Sequence, residues 1–285
     1  MTIERADPVV ATAVAPARTP HGTWPPDWLI AGLALAYVVA LAALAFFPGA
    51  TLLDRLRTLD GGICAQIPSH TMVIANQMLP LCSRNTGIYM GFASTFLFLL
   101  ATGRLRSALL PGKWVALVFG VAVLFMAEDG FNSLFLDLRL PHLYQPHNII
   151  RLFSGLGTGA AMAAFIIPVA NTLIWRDEDE RSSFASLRAL APLGAVLLLV
   201  FLAVGVMGAP VFLYPIAILS SAGVVVALSL VNVVFTLGIT NRSGRFATWR
   251  QFFPVYSIAL VFAILELMAL FALKSAMLQG MTLPK

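Results

Sequence analysis

Charge is scarce in this sequence. Lys, Arg, Asp and Glu supply 11% of its 285 residues, against roughly a quarter in an average soluble domain. Hydrophobic residues supply 59%, and the mean hydropathy is +0.88. So small a polar complement excludes a soluble enzyme domain, a disordered chain and a basic nucleic-acid binder. The alternating short segments that a transmembrane barrel needs are also missing. So are the compact catalytic and cofactor strings: there is no Walker loop, no His-Glu-x-x-His, no Gly-x-Ser-x-Gly and no Cys-x-x-Cys-His. The basic excess, 18 Lys and Arg against 13 Asp and Glu, lies in short groups between apolar runs. There it sets orientation in a bilayer rather than binding nucleic acid.

What the chain does have is long apolar runs. The first extends from Trp28 to Phe47, with Pro25-Pro26-Asp27 as a start and Pro48-Gly49 as a stop. Its length suffices to cross about 30 Å of hydrocarbon as a helix. Six more runs lie at about 85–103, 114–136, 149–175, 187–208, 211–238 and 252–273. The predicted fold is an all-α polytopic bundle of about seven transmembrane helices. Pro168, Pro192 and Pro215 fall within runs, where neighbouring helices can satisfy the freed carbonyls. Residues 1–27 read as a disordered tail without a signal-peptide core. Residues 28–175 hold helices one to four, 176–186 a charged connection, and 187–285 helices five to seven with a short tail. In the connection, Arg176-Asp177-Glu178-Asp179-Glu180-Arg181 mixes both signs, which suits a solvated segment and not a lipid-binding patch. With the N-terminus inside, eleven basic residues fall on the inner side and seven on the outer. The positive-inside rule therefore predicts a cell-membrane protein with a cytoplasmic N-terminus and an external C-terminus.

Residues 48–84 are long for a connection. The piece Met72 to Leu81, interrupted by Asn76, Gln77 and Pro80, is too short to span and reads as interfacial or re-entrant. Cys64 and Cys82, the only two cysteines, flank it. A disulfide staple is the first reading, closing a loop of about 19 residues and stabilising it by roughly 3 kcal/mol. Metal binding with His70 between them, redox chemistry and two plain thiols are the other readings. The Cys-x5-His-x11-Cys spacing fits no ordinary zinc site, and the close Cys-x-x-Cys pairing is absent.

Ionisable residues inside the runs are few, and each costs on the order of 3 kcal/mol unless it faces the interior and is paired. Asp129 lies about 22 Å along the third run, and Arg151 stands at the start of the fourth. Their spacing predicts a direct Asp129–Arg151 pair. Glu128 is about 100° round the helix from Asp129 and cannot share one partner with it. Glu266, in the seventh run, is expected at the same depth, and Arg84 begins the second run. Three histidines, His70, His142 and His147, belong to the adjoining connections; His142-x4-His147, flanked by prolines, has loop spacing and indicates no metal. Gly87 and Gly91, then Gly155, Gly157 and Gly159 beside Ala160, Ala161, Ala163 and Ala164, are small residues that permit close helix packing. They are no dinucleotide fingerprint, because no strand precedes them.

One string is more specific. Cys64-Ala65-Gln66-Ile67-Pro68-Ser69-His70, followed by Leu81-Cys82-Ser83-Arg84-Asn85-Thr86-Gly87-Ile88-Tyr89-Met90-Gly91, resembles a prokaryotic membrane-protein family filed as domain of unknown function 2085. The later elements of that pattern match Asp129-Gly130-Phe131-Asn132 and Asn148-Ile149-Ile150-Arg151-Leu152-Phe153-Ser154-Gly155, so that the resemblance covers about residues 61–165. Asn132 departs from the family's Gln, and the connection 137–147 is longer than usual. The family implies a membrane fold but brings no activity or cofactor. The site candidates are Asp129, Arg151, Arg84, Glu266, Asn148 and His70 as a ligand or ion-pair set, with Cys64 and Cys82 as the disulfide candidate. No catalytic residue and no metal ligand is assigned. The expected surroundings are the lipid bilayer and no nucleic acid. Binding or transport of a small ligand or ion in a polar outer pocket is the favoured reading, ahead of an accessory or scaffold subunit and a membrane-embedded enzyme.

Overall fold

Seven helices carry most of the chain in the computed structural model, which describes residues 49–240 and 243–280. They are α1 (Leu52–Asp60), α2 (Ser83–Ala101), α3 (Lys113–Asp137), α4 (Asn148–Ile174), α5 (Leu187–Phe201), α6 (Leu213–Thr240) and α7 (Trp249–Gly280). The last six occupy the second to seventh apolar runs. The first run, the tail before it and Arg242 lie outside the described residues. Five of the helices are long and apolar enough to cross a membrane, with α5 counted together with the π-helical turn Leu202–Met207 that extends it. Gly208, at φ 53°, ends that turn in the left-handed region a C-cap needs. Of the prolines within runs, Pro168 and Pro192 sit inside α4 and α5, whereas Pro215 falls in the first turn of α6, where its missing N–H costs nothing.

Helix α4 is the centre of the bundle and α2 is its closest neighbour. A Cβ added at Gly87 would meet the carbonyl of Leu152, one at Gly91 that of Leu156, and one at Gly155 that of Arg84. The two backbones approach closely enough only because small residues alternate across the seam. Around this seam Phe92, Leu99, Phe119, Ala160, Ala163, Ala164, Ile167, Leu193 and Val233 form the largest buried cluster. Helix α3 lies at the periphery. Only Val115, Phe119, Asp129, Asn132 and Ser133 of its 25 residues are buried, which makes a buried carboxylate there conspicuous.

The connections gather at two ends. At one, Ser107–Leu109 (β3) runs parallel to Asp179–Ser182 (β4), and Asn171 donates from Nδ2 to the carbonyls of Leu105 and Ser107 at 2.8 and 2.9 Å. Its Oδ1 accepts from the Trp175 indole at 2.9 Å, and the Arg106 guanidinium lies 3.9 Å from the centre of that ring. The mixed-charge segment thus contains a strand that docks on this end.

At the other end, the long connection before α2 is built in layers. Thr51 caps α1 reciprocally with Asp54, each accepting from the other's backbone N–H. Residues 72–81 hold a β-hairpin, Val73–Ile74 (β1) against Gln77–Met78 (β2), turned at Ala75 and Asn76 with φ of 50° and 59°. Two consecutive positive φ values are those of a type I′ turn. The piece therefore folds back on the end of the bundle as a hairpin. Arg57 of α1 donates to the Met78 carbonyl at 2.5 Å, and Gln66 donates from Nε2 to the carbonyls of Arg57 and Pro80 at 2.7 and 2.8 Å.

Candidate functional site

At the hairpin end, the buried carboxylate of Asp129 organises a network across α2, α3, α4 and two connections. Asp129 is wholly buried. Its Oδ2 accepts from Arg84 Nε at 3.2 Å and from Arg84 Nη2, which also donates to the Asp129 carbonyl at 3.0 Å and to Ser133 Oγ at 3.1 Å. Its Oδ1 accepts from the Tyr144 hydroxyl at 2.9 Å. Tyr144 lies in the 138–147 connection, and desolvation, then its hydrogen bond to the Asp129 carboxylate, push its phenol well above the ordinary range. Asn132 holds that connection in place, accepting from the backbone N–H of Leu143 at 2.7 Å and donating to the Tyr144 carbonyl at 2.9 Å.

The expected Asp129–Arg151 pair is therefore corrected: Arg84 is the ion-pair partner of Asp129. Helix α2 brings Arg84 in one residue after its first, and the close α2–α4 seam leaves it facing α3. Arg151, only 4% exposed, donates instead to neutral groups, from Nη1 to Asn148 Oδ1 at 3.0 Å and from Nε to Ser133 Oγ at 3.4 Å. Among the described residues it forms no salt bridge. Asn148 donates from Nδ2 to the carbonyls of Ser69 and Thr71 at 3.2 and 3.5 Å. His70, beside them, places Nε2 at 3.3 Å from Asp137 Oδ1. Burial, then the nearby Arg151 charge, hold its pKa below the usual histidine value against the opposing pull of Asp137.

Glu266 is not part of this network. It is exposed on α7 and accepts from Asn232 Nδ2 of α6 at 3.0 Å. Equal depth did not imply proximity, because α7 packs on α6 and α1 rather than on α3. His142 and His147 keep loop roles; the Nδ1 of His147 accepts from the Ile149 N–H and caps α4. Among the described residues no group of three His, Cys, Asp or Glu is placed to hold a metal ion. A groove of about 340 Å³ lined by Phe125, Tyr144, Ile149, Ile150, Phe153 and Phe201 adjoins the far side of Tyr144.

Cys64 and Cys82 meet, as residues flanking one hairpin can. In this structure they are free thiols in contact and not a bridge, with the Cys82 N–H donating to Cys64 Sγ at 3.2 Å. The Cys82 thiol, then that N–H, hold the Cys64 thiol below the ordinary range against desolvation, while the Cys64 thiol and burial push Cys82 above it. The sequence reading missed Tyr144, Ser133 and Asp137. The latter two were accessible, since Ser133 and Asp137 follow Asp129 at intervals of four and share its helix face. It also missed Asp60, buried at the end of α1.

The family model described as "Predicted membrane protein (DUF2085)" matches residues 64–165, the stretch that contains the hairpin, the cysteines and the Asp129 network. An uncharacterised protein of Methanothermobacter thermautotrophicus is 31% identical over 104 residues, covering 35% of this chain and 81% of that protein. An uncharacterised protein of Methanocaldococcus jannaschii is 26% identical over 114 residues, covering 40% of this chain and 67% of that protein. No solved structure matches. Helices α5 to α7 lie beyond the family match. On the matched helices and the shared identity, the chain belongs to the membrane-protein family of domain of unknown function 2085.

Proposed function

We propose that this multi-pass membrane protein binds a small anionic ligand, a carboxylate or phosphate compound, at the hairpin end of the bundle, and that this end faces the outside. The observation that carries the reading is Arg151. A guanidinium presents five N–H donors, and this one is 4% exposed with, among the described residues, only Asn148 and Ser133 as hydrogen-bond acceptors. Asp129 is ion-paired with Arg84, and Asp137 is directed to the His70 ring with its side chain 43% exposed, so neither carboxylate makes a salt bridge to Arg151 among the described residues. An ionised group taken out of water without a counter-charge is costly, and an anionic ligand would supply one. Asn148, the Ser69-Thr71 turn and Ser133 supply neutral groups around it. The excess of basic residues at the opposite end and in the tail supports the orientation.

A second reading, a scaffold whose charges clamp helices, is favoured by the complete satisfaction of the Asp129 carboxylate. The two are separated by thermal unfolding in detergent with phosphate, acetate, citrate and chloride at matched ionic strength. A ligand at a hundred times its Kd stabilises by about 2.7 kcal/mol. Anion binding predicts such a rise for one anion class in wild type and its loss in Arg151→Gln. Equal responses of wild type and Arg151→Gln to every anion overturn it and leave the clamp.

A further inference from the structure

A second cluster, independent of the anion site, lies beneath the hairpin. We propose that Cys64 and Cys82 form a reversible dithiol–disulfide couple that exchanges electrons with low-molecular-weight disulfides, with Asp60 as the buried proton acceptor for Cys64. Three observations meet here. The two cysteines meet at the base of the hairpin, where the Cys82 N–H donates to Cys64 Sγ at 3.2 Å and the two thiols interact directly. Cys64 is 4% exposed whereas Cys82 is half-buried, so the two thiols divide into a shielded and a reachable member. Asp60, the last residue of α1, whose carbonyl accepts from the Cys64 N–H at 3.1 Å, is wholly buried, and its Oδ1 has no hydrogen-bond partner among the described residues. Its Oδ2 accepts from Ser221 Oγ of α6 at 2.6 Å. A staple would need neither the buried acid nor its unpartnered oxygen, and burial of such a carboxylate is otherwise pure cost.

The charged and titratable groups around Asp60 are few. Lys274 of α7 directs its ammonium to the carbonyls of Gly61 and Cys64 at 3.2 and 2.8 Å. Tyr89 of α2 and the two cysteines complete the set on the other sides, and Arg57 lies a turn back on α1, bound to the Met78 carbonyl. Desolvation raises the Asp60 carboxyl to about 7, with the Ser221 bond opposing and the Cys64 charge adding to the rise. It is thus matched to neutral-pH proton transfer.

Cys82 passes its proton to the Cys64 thiolate and attacks one sulfur of R–S–S–R. The Cys82–S–R bond forms, and R–S⁻ leaves and is protonated from solvent. The Cys64 thiol then gives its proton to Asp60 and attacks Cys82 Sγ, breaking the mixed disulfide. The second R–S⁻ takes up the proton that Asp60 releases. Two thiols are oxidised to one disulfide, and one external disulfide is reduced to two thiols.

The test uses the purified full chain in detergent, equilibrated with glutathione and glutathione disulfide at varied ratios, quenched by alkylation and weighed by mass spectrometry. The expected result is passage from dithiol to disulfide within the glutathione range, with a single glutathione adduct trapped on Cys82 in Cys64→Ser. A bridge that stays closed at every ratio, or thiols that never oxidise, overturns the couple. Asp60→Asn should slow closure of the mixed disulfide by about tenfold or more at neutral pH. Ser221→Ala keeps the carboxyl and should move the pH inflection of closure upward, which tests the acid even if Asp60→Asn fails to fold. A rate and inflection unchanged in Ser221→Ala overturn the role of Asp60.

Discussion

Removing Arg84 should damage the protein more than removing Asp129, and the two effects should be strongly coupled. In Arg84→Ala the carboxylate of Asp129, 0% exposed against 21% for the Arg84 side chain, keeps only the Tyr144 hydroxyl as a donor. Breaking a buried pair from one side costs roughly 3–5 kcal/mol, and we expect Arg84→Ala to reach that range. In Asp129→Ala the stranded guanidinium retains Ser133 and can extend toward water, so the expected cost is lower, about 2–4 kcal/mol. The double variant leaves no unpaired charge, and the coupling should be about 1.5–3 kcal/mol. A parallel cycle on Asp129 and Arg151, which share Ser133 as a hydrogen-bond partner and form no salt bridge among the described residues, should give less than half of that. The measurement is equilibrium unfolding by titrating SDS into mild-detergent micelles, followed by circular dichroism. Additive effects at Arg84 and Asp129, or a larger coupling at Arg151 than at Arg84, would refute the assignment of partners.

Gly159→Leu and Gly91→Leu should abolish folding, because their Cβ atoms would meet the carbonyls of Ile88 and Leu156, whereas Gly120→Ala and Gly130→Ala, with open space around them, should be tolerated; expression of folded protein by size-exclusion chromatography checks both halves. Ser133→Ala, which deprives Arg84 and Arg151 of a shared acceptor, should cost about 1–3 kcal/mol in the same unfolding assay. His70 has a folded-state pKa below its unfolded value of about 6.5, so its contribution is complete above that pH and is lost as pH falls through the lowered value; Tm of wild type should drop on the acid side relative to His70→Gln, and parallel curves would contradict the shift. Asp60 has the opposite sign: its carboxyl, raised to about 7, costs stability once the folded protein must ionise it, so Asp60→Asn should melt higher than wild type above pH 7 and match it below about pH 4.

The apolar runs alone determined the membrane fold and six described helices, since a bilayer admits only segments that satisfy their own backbone and are long enough to cross. The small residues at 87, 91, 155 and 159 likewise announced a close helix seam, because only such residues let two backbones touch. Within residues 48–84 the apolar content of 72–81 suggested an interfacial or re-entrant piece, whereas the positive φ values at Ala75 and Asn76 make it a hairpin. Tertiary structure alone chose the partner of Asp129. Depth along a helix is legible from the 1.5 Å rise, but which helix stands beside which is not, so the sequence pointed to Arg151, and Arg84 is the partner because α2 brings it against α3. The same indeterminacy placed Glu266 beside Asn232 and hid Asp60, whose burial depends on α6 and α7 folding back across more than 160 residues of chain to reach α1. Pairing and burial of the polar groups are set by helix packing, and in a lipid-facing sequence the apolar pattern is too uniform to encode it: α3 shows almost no apolar asymmetry around its axis, yet one of its faces carries Asp129, Ser133 and Asp137.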